Sequence, residues 1–133
     1  MSLVMQTVQQ SLVAKLMGDA LLMDRVEAIY DTVPQRSALP YVMIDELAQE
    51  ALPSLGENLW RVSLVLEVWT DAKGRKTALD VLERLQGLLH HGHLSMSGHT
   101  LREMRVEGAA CVLAEQATRV VGSMELSLIV AAE

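Results

Sequence analysis

The strongest constraint on the fold comes from two long segments in which apolar and polar residues alternate. Between Leu59 and Trp69 every even-numbered residue is apolar, so one face of a strand there would be continuously apolar. The other face is mixed, because Val65 and Trp69 lie among polar residues. The same alternation runs from Thr118 to Val130. A period of two predicts β-strands with one buried face, and both segments are far longer than the usual strand of about 5–6 residues.

Strands of this length exceed the dimensions of a small domain. At about 3.3 Å per residue, Thr118–Val130 would span roughly 40 Å. A chain of 133 residues should have a radius of gyration of only about 14 Å. Such strands must bend sharply or project, and a projecting ribbon that carries Val65 and Trp69 on its second face needs a cover. Another copy of the chain is the simplest cover, so we expect a homo-oligomer.

Hydrophobic periodicity and capping residues place the remaining elements. The segments predicted as helices are Ser2–Met17, ended by Gly18; Ala20–Arg25, capped by Asp19; and Lys73–His91, ended by Gly92 in a left-handed cap. The segments predicted as strands are Tyr41–Ile44, Leu59–Trp69, Leu101–Glu107, with an extension through Val112 left open, and Thr118–Val130. A loop is expected over Glu46–Glu57, which contains Pro53 and Gly56.

These elements predict an α+β fold. One apolar face per strand and two one-sided helices indicate a mostly antiparallel sheet of about four strands, with the two main helices packed on one face. No linker or internal repeat interrupts the chain, so residues 1–133 are expected to form a single domain.

Composition argues against several classes of function. The net charge is −6, from 11 Lys plus Arg against 17 Asp plus Glu, which disfavours non-specific DNA binding. Phe is absent and only two Trp and two Tyr occur, which is unlike a protein that stacks single-stranded nucleic acid. No run of about 18 apolar residues predicts a membrane span. The N-terminus lacks the early Lys or Arg of a secretory signal, and the single cysteine, Cys111, fits a reducing cytosol.

No catalytic or metal-binding constellation emerges from the polar residues. His90, His91 and His93, with His99 nearby, have no carboxylate or cysteine at short ligand spacing, and histidines in a last helical turn are favoured by the helix dipole. The segment from Asp71 to Thr77 lacks the glycine spacing of a phosphate loop. We therefore expect no enzymatic activity, no catalytic residues, no metal and no cofactor.

Two further polar features have simple interpretations. The cations of the 73–76 turn oppose the helix dipole, so a partner's carboxylate or phosphate is expected to neutralise them. Cys111 lies in an Ala-rich apolar stretch and is expected to be a buried, inert thiol.

Short sequence words in a fixed order carry a resemblance to a known family. The words are Val26–Pro34, Leu39–Asp45, Val65–Asp71 followed by the helix Ala78–Leu89, Leu94–Gly98 and Leu101–Glu107. Over about residues 10–130 the chain resembles the tail-completion (tail terminator) family of long-tailed bacteriophages, prophages and gene transfer agents. It departs from the family pattern near the C-terminus, where Ala114–Ala117 and Met124–Ser127 replace a polar Asp-Gly turn and an aromatic residue.

The resemblance implies a structural role in the virion tail, assembled in the bacterial cytoplasm. Proteins of this kind form a ring, usually hexameric, that caps the finished tail tube, ends its polymerisation and offers a surface to the head connector. The implied partners are further copies of the chain, the tail tube protein and the head–tail connector. DNA would pass through the ring without specific binding, and an acidic subunit suits such a conduit because it repels DNA.

Two other functions stay open at this level. One is a small cytosolic α+β enzyme or ligand-binding dimer with a histidine-lined site around His93, and the other is a neck or tail-tube component of the same particles. If the chain forms a ring, its interface is expected to include the second face of the long strand, the cationic turn and the 46–57 loop. The residues concerned are Val65, Trp69, Lys73, Arg75, Lys76, Glu46 and Glu57.

Overall fold

The computed structural model describes residues 3–34, 37–53, 58–116 and 118–132. The helices within these residues are α1 (Val4–Met17), α2 (Ala20–Met23) and α3 (Arg75–Leu89). The strands are β1 (Ala28–Tyr30), β2 (Tyr41–Ala51), β3 (Leu59–Asp71), β4 (His99–Ala114) and β5 (Arg119–Ala132). They form one sheet in the order β1-β2-β3-β5-β4, in which β1 runs parallel to β2 and the other pairs are antiparallel. The predicted α+β class is confirmed, with β1 as an additional strand.

Both main helices pack on the same face of the sheet. Helix α1 contacts β2 and β3, while α3 contacts β3, β4 and β5. Their apolar sides meet the inward faces of the two central strands in one core. The core residues from these elements are Val4, Val8, Leu12 and Leu16 of α1, Ala78, Val81, Leu82, Leu85 and Leu89 of α3, Val62, Leu64, Leu66 and Val68 of β3, and Val120, Met124, Leu126, Leu128 and Val130 of β5. The alternation seen in the sequence is therefore the division between this core and the opposite face.

The long strands pair with one another along almost their whole length. Strand β3 pairs residue by residue with β5, from Leu59 with Ala131 to Asp71 with Arg119, without a register shift. The register is interrupted in β2 between Asp45 and Ala48 and at two points in β4. Such bulges bend a strand and increase its twist. The extra length is thus accommodated in a broad sheet, rather than in a free ribbon.

The expected loop over Glu46–Glu57 is wrong for its first part, because β2 continues to Ala51. Residues 48–51 are two alanines with Gln49 and Glu50 between them, a stretch with little strand propensity, but they pair with residues 60–63 of β3. Backbone pairing with a long neighbouring strand therefore outweighs a composition typical of loops. Residues 54–57, including Glu57, lie outside the described residues.

The ends of α3 also differ from the prediction. The helix begins at Arg75 and ends at Leu89, so Lys73 precedes it and His91 follows it. The left-handed residue is His91, with φ of 57°, and not Gly92. A side chain at Gly92 would collide with the carbonyl oxygen of Leu88. Glycine is thus required there by close packing of the chain and not by a left-handed conformation.

The short helix α2 is tied to α3 through its cap. As predicted, Asp19 caps it, because its carboxylate accepts a hydrogen bond of 2.9 Å from the N–H of Leu22. The same carboxylate receives two hydrogen bonds from the guanidinium of Arg84, one of them 2.9 Å from Nε. The Arg84 hydrogen bonds lower the pKa of Asp19 from its ordinary value of 3.8 to about 2.

Replacing Asp19 by asparagine is expected to give a stability loss that depends on pH. Asparagine can still cap Leu22, so the variant removes only the charge that faces Arg84. Because the folded-state pKa of Asp19 is depressed, its contribution is present above about pH 4 and is lost as the pH falls toward 2. Melting temperatures measured from pH 7 to pH 2 should show the wild type a few degrees above the variant at neutral pH, with the difference vanishing near pH 2.

The variant Arg84→Gln should reproduce this pH dependence, because it removes the other half of the pair. A difference between wild type and Asp19→Asn that stays constant down to pH 2 would show that the ion pair does not stabilise the fold.

Candidate functional site

The face of the sheet opposite the helices carries the residues expected to form an interface. The strand register lines up rows of side chains across this face. One row consists of Tyr41, Trp69, Val121 and Val112, from β2, β3, β5 and β4 in that order. Two rows further along lies Val65, beside Asp45 and Glu125. We call this surface the open face. It places the predicted Val65 and Trp69 on the same side of the sheet, and both are half-buried.

Three of the four aromatic residues gather at one end of the open face. The rings of Tyr41 and Trp69 are stacked with centroids 6.3 Å apart, and Tyr30 meets Tyr41 edge-on at 5.5 Å. The indole N–H of Trp69 donates a hydrogen bond of 3.1 Å to Glu67. Burial and the nearby carboxylate of Glu115 raise the pKa of Tyr41 above its ordinary value. Clustered aromatic rings are typical of the centres of protein–protein interfaces.

Tyr30 and Tyr41 were not identified as interface residues from the sequence. The strand beginning at Tyr41 was predicted, but its pairing with the far end of β3 was not. The sequence does contain a signal for the pairing of Tyr41 with Trp69. Each lies at the end of a predicted strand, and aromatic residues paired across neighbouring strands commonly stabilise a sheet.

The middle of the open face is acidic. A shallow cleft of about 240 Å³ around Val65 is lined by Glu46, Glu107 and Glu125, which come from β2, β4 and β5. All three carboxylate side chains are exposed. The predicted Glu46 therefore lies on the same surface as Val65, on a strand and not in a mobile loop. It lies at the β2 bulge with φ of 49°.

The cationic turn lies at the N-terminus of α3, beyond the end of β3. The side chain of Asp71 accepts a hydrogen bond of 2.9 Å from the N–H of Lys73, which shapes the turn. Lys76 forms an ion pair with Asp80 at 3.0 Å, one helical turn away. In the described parts of the chain, no carboxylate pairs with Lys73 or Arg75, and both are exposed. These two cations remain available for a partner.

Among the histidines, the rings of His90 and His91 are in contact, with centroids 4.1 Å apart. His90 Nδ1 accepts a hydrogen bond of 3.1 Å from the N–H of Val106, and the ring of His99 is 3.1 Å from the carbonyl of Ser97. His93 is exposed. Among the described residues, no group of three or more His, Cys, Asp or Glu is arranged to hold a metal ion.

Two further observations concern Cys111 and the lengths of the helices. Cys111 is half-buried on β4 and packs against the core, so the expected burial of its thiol is only partial. Within the described helices, none combines the length and apolar character that a membrane crossing requires.

Comparison with known proteins places these features in context. In a search of solved structures, the chain is similar to a protein of the virion of a native gene transfer agent particle, with a TM-score of 0.83, 23% identity and 98% of each chain covered. It is also similar to the gp17 protein of bacteriophage SPP1, with a TM-score of 0.64, 21% identity, and 96% and 91% of the two chains covered. At these identities the likenesses establish the fold.

A search of curated protein sequences gave no match. The family model described as tail completion protein gp17 matches residues 10–130 of the chain. This match covers most of the chain, and it agrees with the predicted resemblance. The chain belongs to the tail completion protein gp17 family, whose members are structural components of the tail.

Proposed function

We propose that copies of this chain form a closed ring, most simply a hexamer, on the end of the tail tube of a phage or gene transfer agent particle. The ring stops polymerisation of the tube and presents a surface to the head–tail connector, and DNA passes through it. Its role is structural, and no catalytic step is assigned to it. The partners are further copies of the chain, the tail tube protein and the connector protein.

The observation that carries this proposal is the open face of the sheet. The chain belongs to a family of tail structural proteins, yet none of its described helices packs on the open face, and three of the four aromatic residues lie there. A face that is aromatic at one end and acidic in the middle has the composition of a protein–protein contact and not of a ligand pocket.

A ring accounts for two further features. Identical subunits form a closed ring when one surface of each binds a different surface of the next and the successive rotations add up to a full turn. Every copy can then cover a face of its neighbour. The net charge of −6 makes each subunit acidic. An acidic wall repels DNA at short range and lets it slide through without adhering.

Deletion of the gene tests this function in cells that produce the particles. Electron micrographs should show tails of abnormal length that lack heads, because polymerisation is not ended and no connector surface is present. Supplying the wild-type gene in trans should restore both the length and the heads. Particles with normal, head-joined tails in the deletion strain would contradict the proposal.

A further inference from the structure

The outer edge of the sheet at β4 is protected over only part of its length. Near the middle of β4, the segment after α3 covers the edge: the N–H of Val106 donates to His90, and the carbonyl of Met104 accepts a hydrogen bond of 2.8 Å from the N–H of His91. In the described parts of the chain, no segment covers the edge from Gly108 to Ala114.

The orientation of the backbone in this stretch follows from the register. Strand β5 pairs with β3 without a shift, so the main-chain groups of its even-numbered residues share one direction. Met104 and Val106 oppose even-numbered residues of β5, and their main-chain groups point outward. Beyond the bulge, the residues that oppose even-numbered positions are Ala109, Cys111 and Leu113. Three successive outward N–H and C=O pairs are therefore free to accept a strand.

Apart from the bulge that precedes it, this free edge carries little protection against strand addition. Natural edge strands carry charges or prolines that block pairing with another chain. The seven residues from Gly108 to Ala114 include no charge and no proline. Val112 is 55% exposed and Leu113 is 51% exposed, and neighbouring residues of a strand point to opposite faces. An added strand would thus find apolar side chains on both sides of the sheet.

The opposite edge of the sheet is formed by β1 and is likewise bordered by apolar side chains. Strand β1 has only three residues, and among the described strands it pairs only with β2. Beside it lies an apolar cleft of about 420 Å³ lined by Val13, Ala14, Met17 and Ile29. The charged side chain at its rim, Asp31, is hydrogen-bonded to Gln9 at 3.0 Å.

We propose that the β4 edge from Gly108 to Ala114 docks beside β1 of a neighbouring copy, with its apolar side chains in the cleft of Val13, Ala14, Met17 and Ile29. Copies that each carry a charge of −6 repel one another, and the uncharged β4 edge and the apolar wall of the cleft let them approach. The surfaces lie at opposite ends of the strand order, so one copy's edge meets the next copy's cleft in a head-to-tail contact of the kind that closes rings. This inference rests on the proposed ring and adds an edge contact to the contact expected from the open face.

Chemical cross-linking tests the contact in particles assembled from variant chains. The native Cys111 marks the β4 edge, and Ala14→Cys places a second thiol in the cleft. A short bismaleimide should join Cys111 of one copy to position 14 of the next and give a ladder of oligomers on denaturing gels. The matched control is Ala72→Cys, another exposed alanine, in the turn before α3. It should give no ladder.

The possible outcomes separate this inference from the proposed function. If rings are visible on the tails but Ala14→Cys gives no ladder, or if only dimers linked through Cys111 appear, the head-to-tail contact is wrong although the function stands. If the protein is absent from the tails and tails form normally without it, the proposed function itself is wrong.

A second pair of variants avoids cross-linking. Ala109→Pro removes one outward N–H, which β5 does not use, and should lower the yield of head-joined particles by about tenfold or more. Val112→Lys introduces an edge charge and should have the same effect. Ala109→Ser keeps the N–H and should behave as wild type. Retention of full assembly by both Ala109→Pro and Val112→Lys, with normal circular dichroism, would overturn the inference.

Discussion

Replacing Leu126 by alanine is expected to lower the free energy of unfolding by about 2–5 kcal/mol. Leu126 lies on the central strand β5, faces the helices and is 1% exposed. Its neighbours across the sheet are Leu64 of β3 and Val106 of β4, and all three contribute to the core. Because β5 is paired with a strand on each side, the surrounding side chains cannot easily close the cavity that the substitution leaves. The loss of stability should therefore fall toward the upper part of this range.

Urea denaturation followed by circular dichroism, at one protein concentration, measures this loss. The matched control is Leu79→Ala on α3, because Leu79 is 49% exposed and points away from the sheet core. Its effect should stay within about 0.5 kcal/mol. Equal effects of the two substitutions would mean that the helix-covered face of the sheet is not the stabilising core.

The largest functional effect is expected from Trp69→Ala. The substitution removes the ring that stacks on Tyr41 and the hydrogen bond to Glu67, at the centre of the aromatic end of the open face. Large aromatic residues dominate the binding energy of protein interfaces. Since every subunit of a ring would lose the same contact, the yield of head-joined particles should fall by at least about tenfold.

Two controls separate assembly from folding in this experiment. Trp69→Phe keeps a stacking ring and should retain most of the yield. Leu21→Ala removes an exposed leucine from α2, outside the open face, and should leave the yield unchanged. If Trp69→Ala folds normally and gives the wild-type number of head-joined tails, the open face is not an assembly surface.

The architecture of the central sheet could be predicted because the alternation reports burial directly. Residues 59–69 and 118–130 have one uninterrupted apolar face each, and no other local structure uses a period of two. The apolar stripe of α3 and the Asp19 cap are equally local signals. These features depend on short stretches of chain, and the structure confirms them.

The elements that the sequence does not predict form by pairing with residues that are distant in the chain. The second half of β2 mixes small and polar residues without the alternation of a strand, and it forms because residues 60–63 of β3 pair with it. Strand β1 has three residues and exists only beside β2. The small residues from Gly108 to Ala114 carry little strand propensity, so the sequence alone does not predict where β4 ends. Its pairing with β5 extends it to Ala114.

The interface was predictable only in part, for a related reason. Val65 and Trp69 were identified because large apolar residues on the wet face of a strand contradict the alternation. Tyr30 and Tyr41 lie beside Trp69 only through the strand order, which the sequence does not state. The three-dimensional arrangement was likewise needed to show that Lys73 and Arg75 are available to a partner. It was also needed to show that Lys76 pairs with Asp80 and where Glu46 lies. The roles of all these residues in assembly remain predictions.

The central claim, that this chain finishes tails, is tested most directly by adding purified protein back to tails from a deletion strain. Headless tails mixed with wild-type protein and separately prepared heads should become head-joined particles that transfer DNA, while Trp69→Ala protein should fail to restore them. Tails from the deletion strain that already join heads before any protein is added would contradict the account.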